Sequence, residues 1–375
     1  MQQTNSQKAT HSQGYPSRTE AERLLMEALK INPGPWGDHS RVVALSAEKI
    51  AKTAGLDPEK AYILGLLHDI GRRYGRGHIA HVYGGCKDML ALGYPEVARI
   101  CITHSYNNQD MNEEVSPEPP SPEHDYVEAQ LMAAPFDDYD RLIQLCDSIS
   151  MAEGVVPIEV RMNDVKRRYP QYPQPKWDKN LALKAYFEEK CGANLYAVLG
   201  EEPLGIRPSR REDLPEMLRI YEHARSFMAA SGNPRQWSAE AHHGIAWPPE
   251  SVLIEDIRVG RSYVCLAGDH VVATFCYLAG PDPTYARIDG AWLSDTPYPV
   301  VHRIASDGSR PGIGTFCLTW ACRNAGHLRI DTHRDNRPMQ HLLQKCGFRY
   351  CGIIFVEEDD DPRLAFEFVP ENRQI

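Results

Sequence analysis

Six residues in the first half of the chain have the types and the order expected of one metal site. They are His39, His68, Asp69, His81, His104 and Asp147. His68 and Asp69 are adjacent and follow the apolar run at residues 63–67. Neighbouring side chains leave a helix about 100° apart, so both can reach one ion at the end of a buried helix. Histidine and carboxylate ligands suit divalent Mn, Fe, Zn, Co or Ni, and the sequence leaves the choice open.

The ordered set resembles the HD-domain metal-dependent phosphohydrolases. Their signature is a first His, an HD dipeptide and a distal Asp, and residues 68–71 here read His-Asp-Ile-Gly. The resemblance covers about residues 19–200 and implies an all-α domain. It also implies that the metal is held by His39, His68, Asp69 and Asp147.

Two further histidines enlarge this expected site. His81 precedes two glycines and His104 ends an apolar segment, as in HD members with a larger site. With both as ligands, the site would hold two metals bridged by Asp69. The alternative is that they only hydrogen-bond to the ligands or lie exposed, and His78 is a weaker candidate ligand.

The ligand types suggest phosphate chemistry. A bound metal would lower the pKa of a water molecule and neutralise charge on a phosphoryl oxygen. We expect His68, Asp69 and Arg72 to take part in this step. Either Arg72 or Arg73 can offer paired donors to a substrate phosphate, although cations also suit a solvated helix end.

A second motif lies at residues 309–314, Ser-Arg-Pro-Gly-Ile-Gly, after a predicted strand and before a predicted helix. Glycines at such a place let backbone N–H groups approach a pyrophosphate. Together with the segments at 300–305, 331–339 and 344–348, this order resembles the GNAT acyl-CoA N-acyltransferases. The resemblance covers about residues 205–369 and implies an α+β domain with a twisted, mostly antiparallel sheet.

The GNAT resemblance implies a set of CoA-binding residues and a catalytic group. The cofactor-binding residues would be Ile304, Ala305, Arg310, Gly312, Ile313, Gly314 and Asn336. The backbone of Ile304 and Ala305 would position the thioester, and Asn336 would contact the pantetheine arm.

This chain departs from the GNAT pattern in two places: Ser309 replaces a common Gln or Arg, and Leu343 replaces the Tyr that protonates the leaving thiolate. His302, His333, Asp331 and water remain candidates for that role, and we take His302 as the catalytic residue. Gln236, Trp237 and Trp292 either line the acceptor pocket or pack in the core.

The elements that must position these residues differ between the halves. Apolar spacing predicts consecutive helices from about Glu20 to Tyr196, with a start at Asp57-Pro58, a break at Gly93-Tyr94-Pro95 and a last helix over 178–199. A polar loop is expected at 107–122. After a linker at 201–205, strands are predicted at 262–266, 271–278, 286–292, 300–305, 328–332, 350–356 and 363–368. Helices are predicted at 213–224, 314–325 and 337–346.

The composition limits which partners and which cellular compartment are expected. The formal net charge is −10, and neither half is basic, so no broad nucleic-acid or anionic-membrane surface is expected. No apolar stretch approaches the roughly 20 residues of a membrane span. Ten cysteines without a Cys-x-x-Cys motif favour reduced thiols in a cytoplasmic protein. Residues 1–18 are polar and are expected to be a disordered lead-in.

The sequence therefore predicts a bifunctional enzyme. Residues 19–200 would hydrolyse a nucleotide or another small phosphate ester, and residues 206–375 would transfer an acetyl group from acetyl-CoA to a small amine. One alternative is a di-iron oxygenase of the HD type fused to the acetyltransferase. Another is an HD domain that senses a ligand and regulates its neighbour. The oligomeric state is left open.

Overall fold

The structure is a computed structural model and describes residues 14–75, 77–242, 244–356 and 362–370. The chain divides into two compact units, Met1–Pro203 and Leu204–Ile375, each with its own core. Most of the predicted lead-in, residues 1–13, lies outside the described residues. No helix in the described part of the chain is long and apolar enough to cross a membrane.

The first unit is helical. Its helices are α1 (Arg18–Ile31), α2 (Trp36–Ala54), α3 (Pro58–Leu67), α4 (His78–Ala91), α5 (Pro95–Thr103), α6 (Pro122–Ala133), α7 (Asp138–Asp147), α8 (Ile158–Arg168), α9 (Gln174–Cys191) and α10 (Leu195–Leu199). Short 3₁₀ helices cover Ile70–Tyr74 and Met111–Glu113. A small hairpin joins β1 (Ser150–Met151) to β2 (Gly154–Val155).

Local sequence explains how the central helix α3 forms and packs. The Asp57 side chain accepts hydrogen bonds from two backbone N–H groups of the first turn, and Pro58 fits the first helical position. Residues 61–67 are all buried. A Cβ atom on Gly65 would lie 2.9 Å from the Cα of Ala44, so this glycine lets α3 cross α2 closely. The end of α3 is thereby held in the core.

Two details of the first unit differ from the sequence expectation. The predicted single helix over 178–199 is two helices, because Gly192 adopts a left-handed conformation (φ +67°) and ends α9. The hairpin at residues 150–155 adds a little sheet to a domain expected to be all α.

The second unit is mixed α and β. Its helices are α11 (Leu214–Ala230), α12 (Glu250–Arg258), α13 (Ile313–Ala325) and α14 (Arg337–Lys345), with 3₁₀ helices at Arg211–Asp213 and Pro283–Tyr285. Its strands are β3 (Leu204–Pro208), β4 (Ser262–Ala267), β5 (His270–Leu278), β6 (Asp289–Gly290), β7 (Val300–Ser306), β8 (Leu328–His333), β9 (Arg349–Phe355) and β10 (Pro362–Phe368).

The strands form one sheet in the order β3-β4-β5-β7-β8-β10-β9-β6. Every neighbouring pair is antiparallel except β7 and β8, which are parallel and pair only at Val300–Arg329 and Val301–Ile330. Beyond these pairs the ladder between the two strands stops. The mixed, mostly antiparallel sheet confirms the α+β fold expected for this unit.

A β-bulge interrupts β7. Thr274 of β5 pairs with Ala305, and Cys276 pairs with His302, so Arg303 and Ile304 oppose a single residue. Arg303 has φ +53°, a conformation rare for a residue with a side chain. The bulge bends β7 where it separates from β8.

Two elements of the second unit differ from the sequence expectation. The expected strand at 286–292 is reduced to Asp289–Gly290, because Trp292 turns inward to cover Arg329 and donates to the Tyr285 carbonyl. The helix α12 was missed, although Pro249 and the apolar spacing at 252–257 are ordinary signals for it.

Candidate functional sites

The six candidate metal ligands come from five helices of the first unit. His39 lies in the first turn of α2, His68 and Asp69 follow α3, His81 lies in α4, His104 caps α5, and Asp147 ends α7. All six are buried or half-buried. The structure thus brings the whole predicted set together.

Asp69 lies at the centre of this set. Its Oδ1 is 3.4 Å from His81 Nε2 and 3.5 Å from His104 Nε2, and its Oδ2 is 3.9 Å from His68 Nε2. The Nε2 atoms of three histidines from three segments therefore face one carboxylate.

A second carboxylate lies beside His39 and His68. Asp147 Oδ1 lies 3.0 Å from His39 Nε2, and the rings of His39 and His68 are 5.4 Å apart. The ligand atoms of His39, His68 and Asp147 lie within 4.8 Å of one another, as do those of His68, Asp69 and His104. His68 belongs to both groups.

Local hydrogen bonds fix which ring nitrogen faces the site. The Nδ1 atoms of His68, His81 and His104 lie 2.7, 3.0 and 3.0 Å from backbone carbonyl oxygens of the preceding turn, those of Gly65, Gly77 and Ile100. A carbonyl oxygen accepts only, so each Nδ1 carries a proton and each Nε2 keeps its lone pair in the neutral ring.

The buried atoms of the site fit a cation. His68 Nε2, His81 Nε2 and Asp69 Oδ1 are buried without a hydrogen-bond partner. Such atoms are costly unless something satisfies them. Burial lowers the pKa of His68 to about 4 and that of His81 well below its usual range. Neutral histidines beside carboxylates are the donor set that a divalent transition metal takes.

The carboxylates of this set are ionised. Burial alone would raise the pKa of Asp69, but the Arg72 guanidinium beside it is the largest opposing cause, and the pKa lies well below the usual range. Burial is likewise outweighed at Asp147, whose pKa is lowered by a hydrogen bond from His39 and by Arg161. The site therefore carries two negative charges in its folded state.

The two candidate phosphate-binding arginines, Arg72 and Arg73, have different contacts. Arg72 Nε lies 3.1 Å from Asp69 Oδ2, beside the metal ligands. Arg73 instead donates towards the Ile70 carbonyl and lies 3.5 Å from Asp88. Only Arg72 is placed at the site.

Two cations that the sequence did not single out lie near the same site. Arg161 of α8 is 3.5 Å from Asp147 Oδ1. Lys176 of α9 donates to the carbonyl oxygen of Ser105, at 2.5 Å, and to Asn107 Oδ1. Ser105 directly follows His104 in the chain. Arg161 and Lys176 lie far along the chain from the HD motif at residues 68–71. No sequence pattern therefore indicated that they would be close to it.

His78 lies beside the ligand set and is not part of either group. Its ring centroid is 5.5 Å from that of His81, and its Nδ1 is 3.8 Å from Glu114 Oε1. Burial, helped by Lys176 and Arg72, lowers its pKa to about 3.

The glycine of the His-Asp-Ile-Gly motif has a steric role. A Cβ atom on Gly71 would lie 1.8 Å from the backbone oxygen of His81 and 2.6 Å from the nitrogen of Gly85. The segment carrying Asp69 and the helix carrying His81 are therefore in direct backbone contact.

The second unit contains a cavity of about 590 Å³. It lies where β7 and β8 diverge, and its lining includes Ile304, Ala305, Gly314 and Asn336. Asn336 begins α14, where its side chain caps Met339 N and also donates to Gln236. Four of the seven predicted CoA-binding residues thus line one cavity.

The other three predicted CoA-binding residues, Arg310, Gly312 and Ile313, lie in the loop before α13 and at its start. Gly312 has φ +91° and is the N-cap residue of α13. The first backbone N–H groups of such a helix have no acceptor within it. The start of α13 therefore presents backbone N–H donors that the helix itself does not satisfy.

A polar cluster from three segments faces the same cavity. His302 of β7 has its Nε2 atom 2.7 Å from Asp282 Oδ2 and its Nδ1 atom 3.9 Å from Asp331 Oδ1. Asp331 of β8 accepts a hydrogen bond of 2.6 Å from the Tyr285 hydroxyl. Asp282 and Tyr285 were not found from the sequence.

The remaining residues considered from the sequence fall into two groups. Trp237 and Gln236 line the cavity, whereas Trp292 packs against Arg329. His333 is buried and accepts from Asp335 N, and it is not among the cavity-lining residues. Leu343 is fully buried in the sheet core, and its neighbour Leu342 faces the cavity.

The comparisons with known proteins give different matches for the two units. Residues 36–152 match the family model of the HD domain. A GNAT-family acetyltransferase from Streptococcus agalactiae 2603 is 27% identical, covers 46% of this chain and 98% of its own, and has a TM-score of 0.41. RimJ of Mycobacterium smegmatis, solved with CoA-disulfide, is 19% identical over 46% of this chain and 84% of its own, with a TM-score of 0.30.

A Bacillus subtilis acetyltransferase solved with CoA is 16% identical over 44% of this chain and 97% of its own, with a TM-score of 0.29. A search of curated proteins gave no match. The chain thus contains an HD domain at residues 36–152, followed by a mixed α/β domain similar to the GNAT acetyltransferases.

Proposed function

We propose that the first unit is a metal-dependent phosphohydrolase that acts on a nucleotide or another small phosphate ester. The observation that carries this proposal is the cluster of unsatisfied buried ligand atoms at His68, His81 and Asp69, with cations beside it. When bound, a divalent metal supplies a Lewis acid that polarises the phosphoryl group and makes hydroxide available near neutral pH.

The residues of the chain have distinct tasks in this proposal. His39, His68, Asp69 and Asp147 hold one metal, and His81 and His104 complete a second position that shares Asp69. Arg72, Arg161 and Lys176 neutralise and orient the substrate phosphate. Arg72 is held by Asp69, so its guanidinium is already fixed before the substrate arrives.

Metal analysis of protein purified without added metal tests this function, combined with a phosphatase screen over nucleotides and sugar phosphates. One or two equivalents of metal and release of phosphate are expected. The gathering of all six candidate ligands, Asp69 among them, also favours a second candidate, a di-iron oxygenase. Two irons with substrate-dependent oxygen uptake, and no phosphate release, would establish that alternative.

We further propose that the second unit transfers an acetyl group from acetyl-CoA to the nitrogen of a small amine. Three features support this: a cavity between diverging strands, the bulge at Arg303 and Ile304, and the open start of α13. In this proposal, the α13 terminus with Arg310 holds the pyrophosphate. The backbone of Ile304 and Ala305, at the bulge and just after it, holds the thioester, and Asn336 contacts the pantetheine arm.

Calorimetry with acetyl-CoA tests the second function, together with an assay for released CoA thiol over a panel of amines. One equivalent of acetyl-CoA should bind. Absence of binding to folded protein would reject the proposed transferase. We also propose that the protein is cytoplasmic, since all ten cysteines are free and eight of them are buried.

A further inference from the structure

A buried polar network lies between the segments that follow two of the candidate metal ligands. Its centre is Asn180 of α9, a residue that is 1% exposed. The Oδ1 atom of Asn180 lies 2.6 Å from Nδ2 of Asn107 and 2.7 Å from the hydroxyl oxygen of Ser148. Asn107 comes three residues after His104, and Ser148 directly follows Asp147. One amide oxygen therefore contacts both ligand segments.

A lysine fixes which way the amides of this network point. Lys176 Nζ donates to Asn107 Oδ1 at 3.1 Å, and an ammonium group can only donate. The oxygen of Asn107 must therefore face Lys176, so its Nδ2 atom is the donor to Asn180. The Nδ2 atom of Asn180 in turn donates to the Tyr172 hydroxyl at 2.8 Å. The orientation of both amides thus follows from the position of one positive charge.

The same lysine holds the backbone beside His104. Its ammonium group donates to the carbonyl oxygen of Ser105 at 2.5 Å. The hydroxyl oxygen of Ser105 lies 3.0 Å from His104 Nε2, the nitrogen that faces the metal site. Lys176 therefore ties α9 to the residue that directly follows this candidate ligand.

A glutamine of α7 makes a further connection between the two ligand segments. Gln144 Nε2 donates to the carbonyl oxygen of Thr103, the residue before His104, at 2.8 Å. The backbone carbonyl of Gln144 lies 2.8 Å from the Ser148 hydroxyl. The single proton of that hydroxyl is shared between this carbonyl and Asn180 Oδ1. The ends of α5 and α7 are therefore joined directly and also through α9.

Four side chains, which we call the α9 network, join the two segments: Lys176, Asn107, Asn180 and Ser148. The two ligands differ in how far they depend on it. Asp147 Oδ1 also lies 3.0 Å from His39 Nε2 and 3.5 Å from Arg161. His104 lies at the end of α5, where Lys176 holds the next residue of the chain. Loss of the α9 network should therefore displace His104 more than Asp147.

We propose that the α9 network consists of positioning residues that fix His104 relative to Asp147 and thereby allow the second metal position to fill. This inference rests on the proposed two-metal site and assigns to it residues that are not ligands. The network acts through the backbone next to His104 and Asp147. Outer hydrogen bonds of this kind orient metal ligands, and their removal typically costs about 10- to 100-fold in metal affinity.

A network that only stabilises the fold would have a different effect on metal binding. Both metal positions require the folded first unit, so general destabilisation weakens the two ions alike. A positioning role weakens the ion at His104 and spares the ion at His39, His68 and Asp147, whose ligand atoms lie within 4.8 Å of one another. The two stepwise affinities therefore distinguish positioning from stabilisation.

Four variants of the full-length protein test this difference. Asn180→Ala removes the central amide, and Ser148→Ala removes a single hydroxyl group with less disturbance of packing. Asn180→Asp keeps an oxygen acceptor for Asn107 and Ser148, and the Tyr172 hydroxyl can donate to the new carboxylate. The control is Asn163→Ala on α8, which removes an amide that donates to a backbone carbonyl of its own helix.

Metal-free protein is titrated with Mn²⁺, and calorimetry gives the two stepwise dissociation constants. Electron paramagnetic resonance reports the magnetic coupling between neighbouring ions. In Asn180→Ala the weaker constant should rise about 10- to 100-fold while the tighter one changes less than about twofold, and the coupled signal should be lost at two equivalents of metal. Ser148→Ala should change in the same direction by about three- to tenfold. Asn180→Asp and Asn163→Ala should keep both constants and the coupled signal.

The outcomes separate this inference from the proposed site itself. Wild-type protein that binds no Mn²⁺, or one ion only, would reject the two-metal site on which the inference rests. Wild-type protein that binds two ions, with both constants unchanged in Asn180→Ala, would overturn the positioning role. An equal loss of both ions, with a lower temperature of thermal unfolding, would assign the network to stability alone. If Asn180→Ala does not fold, unchanged constants in Ser148→Ala would overturn the inference.

Discussion

Asp69 is the one residue of the first unit whose carboxylate faces three histidines within 4 Å. Its Oδ1 faces His81 and His104 without a hydrogen bond, and its Oδ2 accepts from Arg72 and faces His68. No other carboxylate that the structure describes occupies this position. One oxygen of Asp69 faces His81 and His104 and the other faces His68, so this carboxylate could bridge two metal ions.

We expect Asp69→Ala to remove most of the bound metal and to reduce phosphohydrolase activity by at least about 100-fold. The physical reason is that the metal would lose the carboxylate placed to bridge two ions, while the neutral histidines supply no negative charge in its place. Metal content per protein and phosphate release measure the effect. The exposed Glu123→Gln provides a control that also removes one carboxylate. Full metal content in Asp69→Ala would show that the ion binds elsewhere.

Single changes at His81 and at His104 should reduce the metal content towards one ion. The other group, His39, His68 and Asp147, keeps its ligand atoms within 4.8 Å of one another and can still hold an ion. Titration with Mn²⁺ or Fe²⁺ followed by metal analysis measures the stoichiometry. A wild-type protein that saturates at one metal under all conditions would contradict the two-metal hypothesis.

His78 makes the metal-free protein sensitive to acid. Its pKa falls from 6.5 to about 3 on folding, so the unfolded chain binds a proton at a pH where the folded one does not. The stabilising contribution is full above pH 6.5 and is lost as the pH falls towards 3. This one group adds at most about 1.4 kcal/mol per pH unit to the fall in the free energy of unfolding.

His78→Gln should therefore flatten the pH dependence of stability in chelator-treated protein. Urea unfolding at pH 8 and at pH 4.5 gives the two free energies for each protein. We expect the difference between them to be smaller in the variant than in wild type. An equal or larger difference would mean that His78 does not carry this proton linkage.

At the scale of single residues, the sequence was informative where a motif carries the chemistry. The six candidate ligands could be singled out because their order resembles the HD signature, and His302 was one of several candidates in the segments that resemble the GNAT family. Asp282, Arg161 and Lys176 could not, because only the folded chain brings them to the sites. Their neighbours in sequence carry no comparable pattern.

At the scale of elements, α13 begins with a glycine that the backbone requires. Gly312 has φ +91°, where a residue with a Cβ atom costs roughly 1–2 kcal/mol. No atom lies within 4 Å of a Cβ added there, so the cost comes from the backbone. A larger residue would move the N–H groups at the start of the helix.

We expect Gly312→Ala to weaken acetyl-CoA binding about tenfold and Gly312→Val to weaken it further. The control is Gly260→Ala, which also replaces a glycine of positive φ (+74°) with no atom nearby, but in the turn before β4. Calorimetry measures affinity and thermal unfolding measures stability. Equal affinity loss in both variants would indicate general strain, and no loss in Gly312→Val would reject the pyrophosphate cradle.

The elements themselves were predictable where local signals are strong. Asp57-Pro58 begins α3 and Pro95 begins α5, as expected. The segment at 286–292 alternates like a strand, but stacking of Trp292 on Arg329 overrides that pattern. Gly192 divides a helix whose apolar spacing continues beyond it. These outcomes depend on tertiary contacts and on one backbone angle.

At the scale of the whole molecule, each unit has a separate core. The buried cluster of the first unit lies within residues 21–199, and those of the second lie within residues 206–366. Units of this size, about 170 to 200 residues, bury enough apolar surface to fold alone. The fold class of both was predictable, since helical spacing gives way to strand spacing along the chain.

We therefore expect residues 1–203 and residues 204–375 to fold as separate fragments. The first should bind metal and the second should bind acetyl-CoA with the affinities of the full chain. Circular dichroism, metal analysis and calorimetry measure the three properties. Insolubility of both fragments beside a soluble full chain would contradict independent folding and would favour regulation of one unit by the other.

The contact at Gly71 bears on the geometry of the proposed metal site in the first unit. Backbone atoms of the Asp69 segment and of α4 already touch there, so the two cannot move closer. Side chains can change rotamer, but the spacing between the supports of Asp69 and His81 is fixed by main-chain van der Waals contact. In the proposed metal site, the spacing between the backbone supports of these two ligands would therefore be set by main-chain contact, which no ligand side chain controls.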